Sequence, residues 1–479
     1  MGLKKNILYS SILTTANYIF PLLVYPYVSR VLGVTNIGIC NFIDSIIHYF
    51  ILFSMMGITI MGVREIASEK TNRISLDSKY SSLVALNGIM TLIAVVVLVI
   101  VTFIVPQLWE NKEMMIYGGV KLVSNFLLIE WFYKGMEDFR YITMRTIGVK
   151  CLFVASVFIF VREKSDYPIY YLLTCLMVTG NAVINFIHAR EYVSFKIKLI
   201  SFSSICKPFF ILGSYMLITS MCTTFNVAYL GFATDETQVG YYTTATKLYS
   251  ILLALFTGVT SVIMPRMSSL LADKKIEEFK ELLKKSSELL FSFSIPVIVF
   301  TTLLAPQVIL LISGPGYEGA ITPMRIVMPL MLIIGYEQII VIQGLMPLRE
   351  DKIVMRNSVI GATVSLILNI SLVSKMASVG SSIVWICTET VVLILSQIAI
   401  THIIGVKFPI RTFIRNIGCY IPLFLILFFY KDILFYESYL ILLITAGLFS
   451  GIYVMISQIF ILRNPLLINI LNPLLKKWK

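Results

Sequence analysis

The chain has 479 residues, 58% of them apolar and only 14% charged, with a mean hydropathy of +0.87. That composition excludes an ordinary soluble domain: apolar runs of about 20 residues recur along nearly the whole length, each long enough to cross a bilayer as a helix. The net charge of +13 is spread over alternate loops and forms no separate basic domain, so it reads as the positive-inside bias of a membrane protein and excludes a nucleic-acid-binding role.

In chain order, Lys4 and Lys5 precede an apolar segment too long for a signal-peptide core, which predicts an uncleaved anchor. Pro21 and Pro26 lie in that first segment, which ends at Val31-Leu32-Gly33. A turn through Asn36 and Gly38 leads to a second segment that carries Asp44 and His48 and runs to Gly57 and Arg64. Two long apolar segments joined so tightly predict a membrane helical hairpin. Fourteen helices are predicted, at roughly 7–28, 38–62, 80–106, 114–134, 141–161, 167–188, 206–230, 239–263, 286–312, 319–346, 355–374, 379–404, 412–430 and 436–461. The N-terminus and the loops after even-numbered helices hold most of the basic residues, among them Arg64, Lys70, Arg73, Lys134, Arg140, Arg145, Arg190, Lys274, Lys275, Arg349 and Arg356. The loops after odd-numbered helices hold only Arg30, Lys112, Arg162, Lys164, Lys375 and Lys431. This asymmetry predicts that both termini are cytoplasmic. The inner loop near 264–286, ADKKIEEFKELLKKSSELL, is predicted to be an amphipathic helix lying on the inner surface, with Glu281 and Lys285 paired.

Matches recur at an offset of roughly 200 residues, in the same order. Leu32-Gly33 returns as Leu230-Gly231; Gly38, Gly57 and Arg64 return as Gly240, Gly258 and Arg266; Pro106-Gln107 returns as Pro306-Gln307; and Met144-Arg145 returns as Met355-Arg356. Six helices per unit is an even number, so the two copies enter the membrane in the same sense, which predicts a parallel repeat with a site between its lobes. The expected fold is all-α and polytopic. Residues 1–200 form one six-helix lobe, 201–405 a second, and 406–479 add helices 13 and 14 and a cytoplasmic C-terminus.

Ionisable residues inside membrane spans are functional candidates by default. Asp44, Lys121, Lys247, Arg325 and Glu389 each lie some six to ten positions below the outer end of an even-numbered helix, about 10–15 Å deep at 1.5 Å per residue. They therefore form a belt at one depth, predicted to face a water-filled cavity together with the stripe Thr243, Lys247, Ser250, Thr257 and Ser261 and the stripe Asn41, Asp44 and His48. With three cations against two acids the belt is positive, which suits an anionic substrate. Arg325 would grip a phosphate bidentately and the lysines would act as point charges. Asp44, Glu130, Glu337 and Glu389 are the candidates for a coupling proton or sodium ion. Pro21, Pro26, Pro323 and Pro329 are the candidate bending points. His48 and His402 read as packing or interfacial residues. The seven cysteines lie in or beside apolar segments without metal-ligand spacing, and read as packing residues. No nucleotide-binding loop, metal motif or nucleophile–base pair is present, so neither a cofactor nor catalysis is expected.

Several of these features (the Pro-containing first helix, SRVLG at 29–33, Gly38, Gly57-Ile58 through Arg64-Glu65, and Pro-Gln at 106–107 and 306–307) resemble the polysaccharide-transport branch of the multidrug/oligosaccharidyl-lipid/polysaccharide exporter superfamily, the Wzx-type flippases. The resemblance covers the full length. It implies two six-helix lobes around a central cationic cavity, in the bacterial inner membrane. The implied substrate is an undecaprenyl-pyrophosphate-linked oligosaccharide, moved from the inner to the outer leaflet for capsule, O-antigen or exopolysaccharide synthesis. Membrane lipid, a coupling H+ or Na+ and a polysaccharide polymerase are the implied partners. In the related peptidoglycan-precursor flippases helices 13 and 14 form a groove for the lipid tail. Those proteins also place cavity arginines on helix 1, which here has no cation before Arg30; this argues against that substrate. Two other readings stand beside it. A drug/cation antiporter of the same superfamily typically has 12 helices and an acidic cavity. A membrane-embedded polymerase usually needs a large outer loop, and the outer loops here are short.

Overall fold

The computed structural model describes residues 3–203, 205–221, 223–433 and 439–462; the side chains of 3, 4, 7, 18, 254, 255, 257–262, 264, 265 and 431–433 lie outside that description. Thr257, Gly258 and Ser261 of the expected stripe and repeat, and Cys222, therefore fall outside it. The six described cysteines are free.

All described secondary structure is helical: α1 (Leu3–Leu32), α2 (Val34–Met55), α3 (Ile58–Glu69), α4 (Arg73–Ile104), α5 (Pro106–Glu110), α6 (Lys112–Leu128), α7 (Glu130–Gly135), α8 (Phe139–Phe160), α9 (Tyr167–Ala189), α10 (Cys206–Ser220), α11 (Thr224–Ala233), α12 (Glu236–Ala272), α13 (Ile276–Leu303), α14 (Ala305–Ser313), α15 (Ile321–Val327), α16 (Leu330–Gln338), α17 (Asp351–Leu368), α18 (Ser374–Ile404), α19 (Ile410–Ile433) and α20 (Tyr439–Ile456). Helix is what lipid demands, because each backbone N–H and C=O must find its partner within the segment. Among the described residues, ten helical stretches are long and apolar enough to cross a membrane, or eleven counting the bent pair α10–α11. One of the ten, Asp351–Ile404, has 54 residues, about 80 Å at 1.5 Å per residue, or room for two crossings. It is broken at Ala377, whose φ is 48°. Fourteen crossings require this second passage together with α1 and α12. On α4, Leu92, Val96, Ile100 and Phe103 are exposed, as lipid contact requires.

Two compact units divide the chain. The first comprises Met1–Thr243 and Leu366–Ser381. Within it α1 packs on α8, α6 on α9, α2 on α4 and α6, and α3 on α7. Its core includes Tyr80, Trp131, Phe132, Tyr133 and Phe209. Asn72 caps α4 by accepting from the Ile74 and Ser75 amides. Further along this end of α4, Asp77 and three serines hold the segment after α9. Asp77 accepts from the Ser194 amide at 2.9 Å and from Lys196 Nζ at 2.7 Å, Ser81 and Ser82 accept from the Lys196 and Ser201 amides, and Ser78 donates to the Leu199 carbonyl. The second unit comprises Thr244–Ser365 and Ser382–Lys479. Its core gathers Phe291, Tyr336 and Tyr420, with Phe408 and Phe413 against them.

The predicted surface helix near 264–286 is corrected by the structure. α12 runs on to Ala272, the chain turns at Lys274 with φ 58°, and α13 continues unbroken from Ile276 to Leu303. Phe279, Leu283, Ser287 and Leu290 are all buried, so one inward stripe at i, i+4, i+8 and i+11 extends from the charged turns into the span. The Glu281–Lys285 pair does form, at 2.8 Å.

Candidate functional site

In the first unit, α2 presents Asn41, Asp44 and His48 on one face. Lys121 of α6 forms an ion pair with Asp44 Oδ1, and the Tyr171 hydroxyl of α9 donates to the same oxygen at 3.4 Å. The Lys121 side chain is 16% exposed and that of Asp44 42%, so the carboxylate is the part of the pair open to its surroundings. His48, one turn on, is exposed. Lys121 is thus matched by an acid on a neighbouring helix.

In the second unit, Lys247 on α12 is half-buried. Arg325 on α15 is exposed, and its Nε donates to the Thr302 carbonyl at 3.2 Å. Among the described residues no carboxylate lies within ion-pair range of Arg325. Glu389 on α18 has another acid, Glu337 on α16, as its charged neighbour, and Trp385 Nε1 donates to Glu389 Oε1 at 3.0 Å. Tyr249 stands beside both carboxyls and edge-on to Trp385, with ring centroids 5.2 Å apart. Its buried hydroxyl has no hydrogen-bond partner among the described residues. A π-helical stretch, Ile339–Leu345, begins two residues after Glu337; such bulges free backbone groups and recur at functional sites.

Glu130, also in the first unit, has partners of its own. The chain breaks at Ile129, whose φ is 35°, and Glu130 opens α7. It pairs with Arg145 at 3.0 Å and with Lys134 at 3.3 Å. The break frees the Leu128 carbonyl, and the Asn185 side-chain amide donates to it. Arg145, grouped with the loop cations above, is buried: its side chain is 3% exposed. Pro21 and Pro26 lie inside α1, which runs unbroken through both; Pro323 lies within α15, and Pro329 in the break between α15 and α16. Tyr171, Tyr249, Trp385 and Arg145 are the neighbours that sequence reading missed. Of these only Arg145 left a trace, in its recurrence as Arg356.

The start of α12 meets the start of α2 in a reciprocal way. Thr35 and Thr237 share a hydroxyl hydrogen bond at 2.9 Å, and Asn41 Nδ2 donates to Thr243 Oγ1 at 3.1 Å. Both pairs are 202 residues apart in sequence. A Cβ at Gly38 would overlap the Glu236 carbonyl, and one at Gly240 would overlap that of Val34. Residue i thus meets the repeat counterpart of its own neighbours, and the counterpart does the same in return. That reciprocity is what a two-fold relation between two copies produces.

The fold so described is that of a polytopic helical membrane protein. It aligns with the lipid II flippase MurJ in an inward closed conformation, with a TM-score of 0.77 and 17% identity over 95% of this chain and 98% of that one. It also aligns with an inward-facing multidrug resistance MATE family transporter, with a TM-score of 0.64 and 15% identity over 81% of this chain and 94% of that one. Residues 3–271 match the polysaccharide biosynthesis protein family, and the chain belongs to it. A protein of Escherichia coli (strain K12) described as "Putative O-antigen transporter" is 26% identical over 399 residues, 82% of this chain and 95% of that protein. One with the same description from Shigella dysenteriae is 23% identical over 402 residues, 82% of this chain and 98% of that protein.

Proposed function

We propose that this chain is a flippase that carries an undecaprenyl-pyrophosphate-linked oligosaccharide repeat unit from the cytoplasmic to the outer leaflet by alternating access, for surface polysaccharide synthesis. It is read as a transporter and not an enzyme, in keeping with its family and with the transporters and flippase it resembles. The observation that carries the substrate class is Arg325: an exposed guanidinium on a membrane span, aimed by a backbone carbonyl and without a carboxylate in ion-pair range among the described residues. A cation so placed calls for an anionic ligand, and a pyrophosphate takes its fork bidentately. Lys247, Lys121 with Asp44, and Glu389 complete the proposed substrate belt. The lobes proposed for rocking are 1–200 and 201–405, with 406–479 appended and Pro21, Pro26, Pro323 and Pro329 as bending points.

Of the four candidate coupling acids, Asp44 and Glu130 are matched by Lys121 and by Arg145 and Lys134. Glu337 and Glu389 are neighbours on α16 and α18 with no ion pair among the described residues, and two carboxyl groups so placed favour holding one hydrogen between them. We assign the coupling proton to this pair.

The test uses cells lacking the chain, from which the undecaprenyl-pyrophosphate-linked sugars are extracted and assigned to a leaflet. Full repeat units should accumulate on the cytoplasmic side, with surface polymer lost. Complementation with Lys247→Ala or Arg325→Ala should leave the protein in the membrane and export at least about tenfold reduced, the equivalent of about 1.4 kcal/mol. Repeat units that reach the outer leaflet unpolymerised would replace this reading with the polymerase one, and unchanged sugar pools would redirect the search to drug and ion transport.

The proposed setting is the bacterial inner membrane with both termini cytoplasmic. Asp235 and Lys275 are both exposed, and the charge asymmetry puts them on opposite sides. In intact cells a cysteine at Asp235 should react with an impermeant thiol reagent and one at Lys275 should not. The opposite pattern would reverse the orientation.

A further inference from the structure

A cleft of about 630 Å³ lies between α4 and α6. Its lining runs along α6 from Lys112 to Ser124, twelve helical steps or about 18 Å at 1.5 Å per residue. Half of a bilayer's hydrocarbon core is about 15 Å, so the cleft extends through one leaflet, the one at the α4–α6 connection. Val95, Leu98 and Phe103 form its α4 wall. The two hydroxyls in the lining are already used: Thr102 donates to the Leu98 carbonyl at 2.7 Å, and Ser124 shares a hydrogen with Thr179 of α9 at 2.8 Å. What remains is an apolar trough without polar demand, suited to an acyl chain.

Gly119 keeps the trough open. A Cβ there would meet only Leu98, at 3.8 Å, so the glycine is not required for close helix packing. The mouth is built differently from the walls. Lys112 Nζ stands 5.0 Å above the Trp109 ring, and Trp109 packs on Phe103 with centroids 4.9 Å apart. Glu110 and Glu113 neighbour Lys112 in the sequence and all three are exposed; Tyr117 donates to Glu113 Oε1 at 2.5 Å. A short exposed stretch with one cation and two carboxylates repels a dianionic pyrophosphate and gains nothing from an anionic lipid. It does complement a head group carrying a phosphate and an ammonium together, the phosphate toward Lys112 and the ammonium toward Glu110 and Glu113.

We propose that this cleft is a selective site for an aminophospholipid of that leaflet, one acyl chain in the trough and the zwitterionic head group on Glu110, Lys112 and Glu113. Any lipid-facing surface is covered by lipid; selection by the head group is what distinguishes a site.

The full chain is reconstituted into nanodiscs of equal phosphatidylethanolamine and phosphatidylglycerol, and the lipid that stays bound after transfer to detergent is identified by native mass spectrometry. Phosphatidylethanolamine should be retained several-fold above its bulk share. Gly119→Leu, which fills the trough, should return the retained lipid to the bulk ratio. Glu110→Lys, at an exposed position outside the core, should reverse the preference toward phosphatidylglycerol. A bulk ratio on the wild type, enrichment that survives Gly119→Leu in a folded helical sample, or a preference unmoved by Glu110→Lys would each overturn the site. None of these readouts depends on the transported substrate.

Discussion

Gly38→Val should abolish export of the repeat unit while leaving the chain in the membrane. A Cβ at Gly38 overlaps the Glu236 carbonyl, which is backbone and cannot rotate away. A β-branched residue therefore pushes the start of α12 off α2. Forcing extra methyl groups into a closed contact costs about 1–3 kcal/mol. Placed on one state of a two-state transporter, that is about a 5- to 150-fold shift in population, because only the state that makes the contact bears the cost. Gly240→Val should do the same, since its Cβ overlaps the Val34 carbonyl in the reciprocal position. The readout besides export is a cross-link. Cysteines replacing Thr35 and Thr237, whose hydroxyls are 2.9 Å apart, should form a disulfide in the otherwise unaltered chain and fail to form it beside Gly38→Val. Cross-linking and export both unchanged would show that the contact is not part of the transport cycle.

How much of this was legible in the sequence depended on the kind of geometry involved. Depth was legible, because helical rise is fixed: Asp44 and Lys121, counted down separate helices, do meet. The partnership was not. It depends on how α2 and α6 are rotated, and the sequence pattern left open whether Asp44 would face Lys121, Lys247 or Arg325. Glu389 makes the same point more sharply, since the acid read as a counter-charge to the cations sits against Glu337. Arg145 was grouped with the loop cations although it falls inside the predicted helix 141–161; the break at Ile129 beside Glu130, its ion-pair partner, is made by a non-glycine residue in the left-handed region, without a sequence mark. α13 was misjudged for a different reason. Its charged turns outweighed its inward stripe, although Phe279, Leu283 and Leu290 already carried the periodicity of the span. The repeat offset, by contrast, was readable to within a few residues, and the Thr35–Thr237 and Asn41–Thr243 contacts fall on it.

Asp44→Ala is the second substitution with a large expected effect, and it separates the structural from the transport role of the belt. It leaves the Lys121 ammonium, 16% exposed, without its carboxylate in a low-dielectric setting. Removing one partner of a buried pair costs about 3–5 kcal/mol; the 42% exposure of Asp44 places this pair at or below the low end. The yield of folded protein in the membrane should therefore fall several-fold. Replacing both partners with near-isosteric neutral residues, Asp44→Asn with Lys121→Met, removes the stranded charge along with its partner and should restore that yield. Export should not return with it. The carboxylate is the exposed member of the pair, and with Tyr171 bonded to the same oxygen it holds Lys121 in one place; without the pair, an anionic head group loses one of its fixed charges along the path. A double variant that regains both yield and export would reduce Asp44 and Lys121 to a structural pair and leave Lys247 and Arg325 as the cations that carry the substrate.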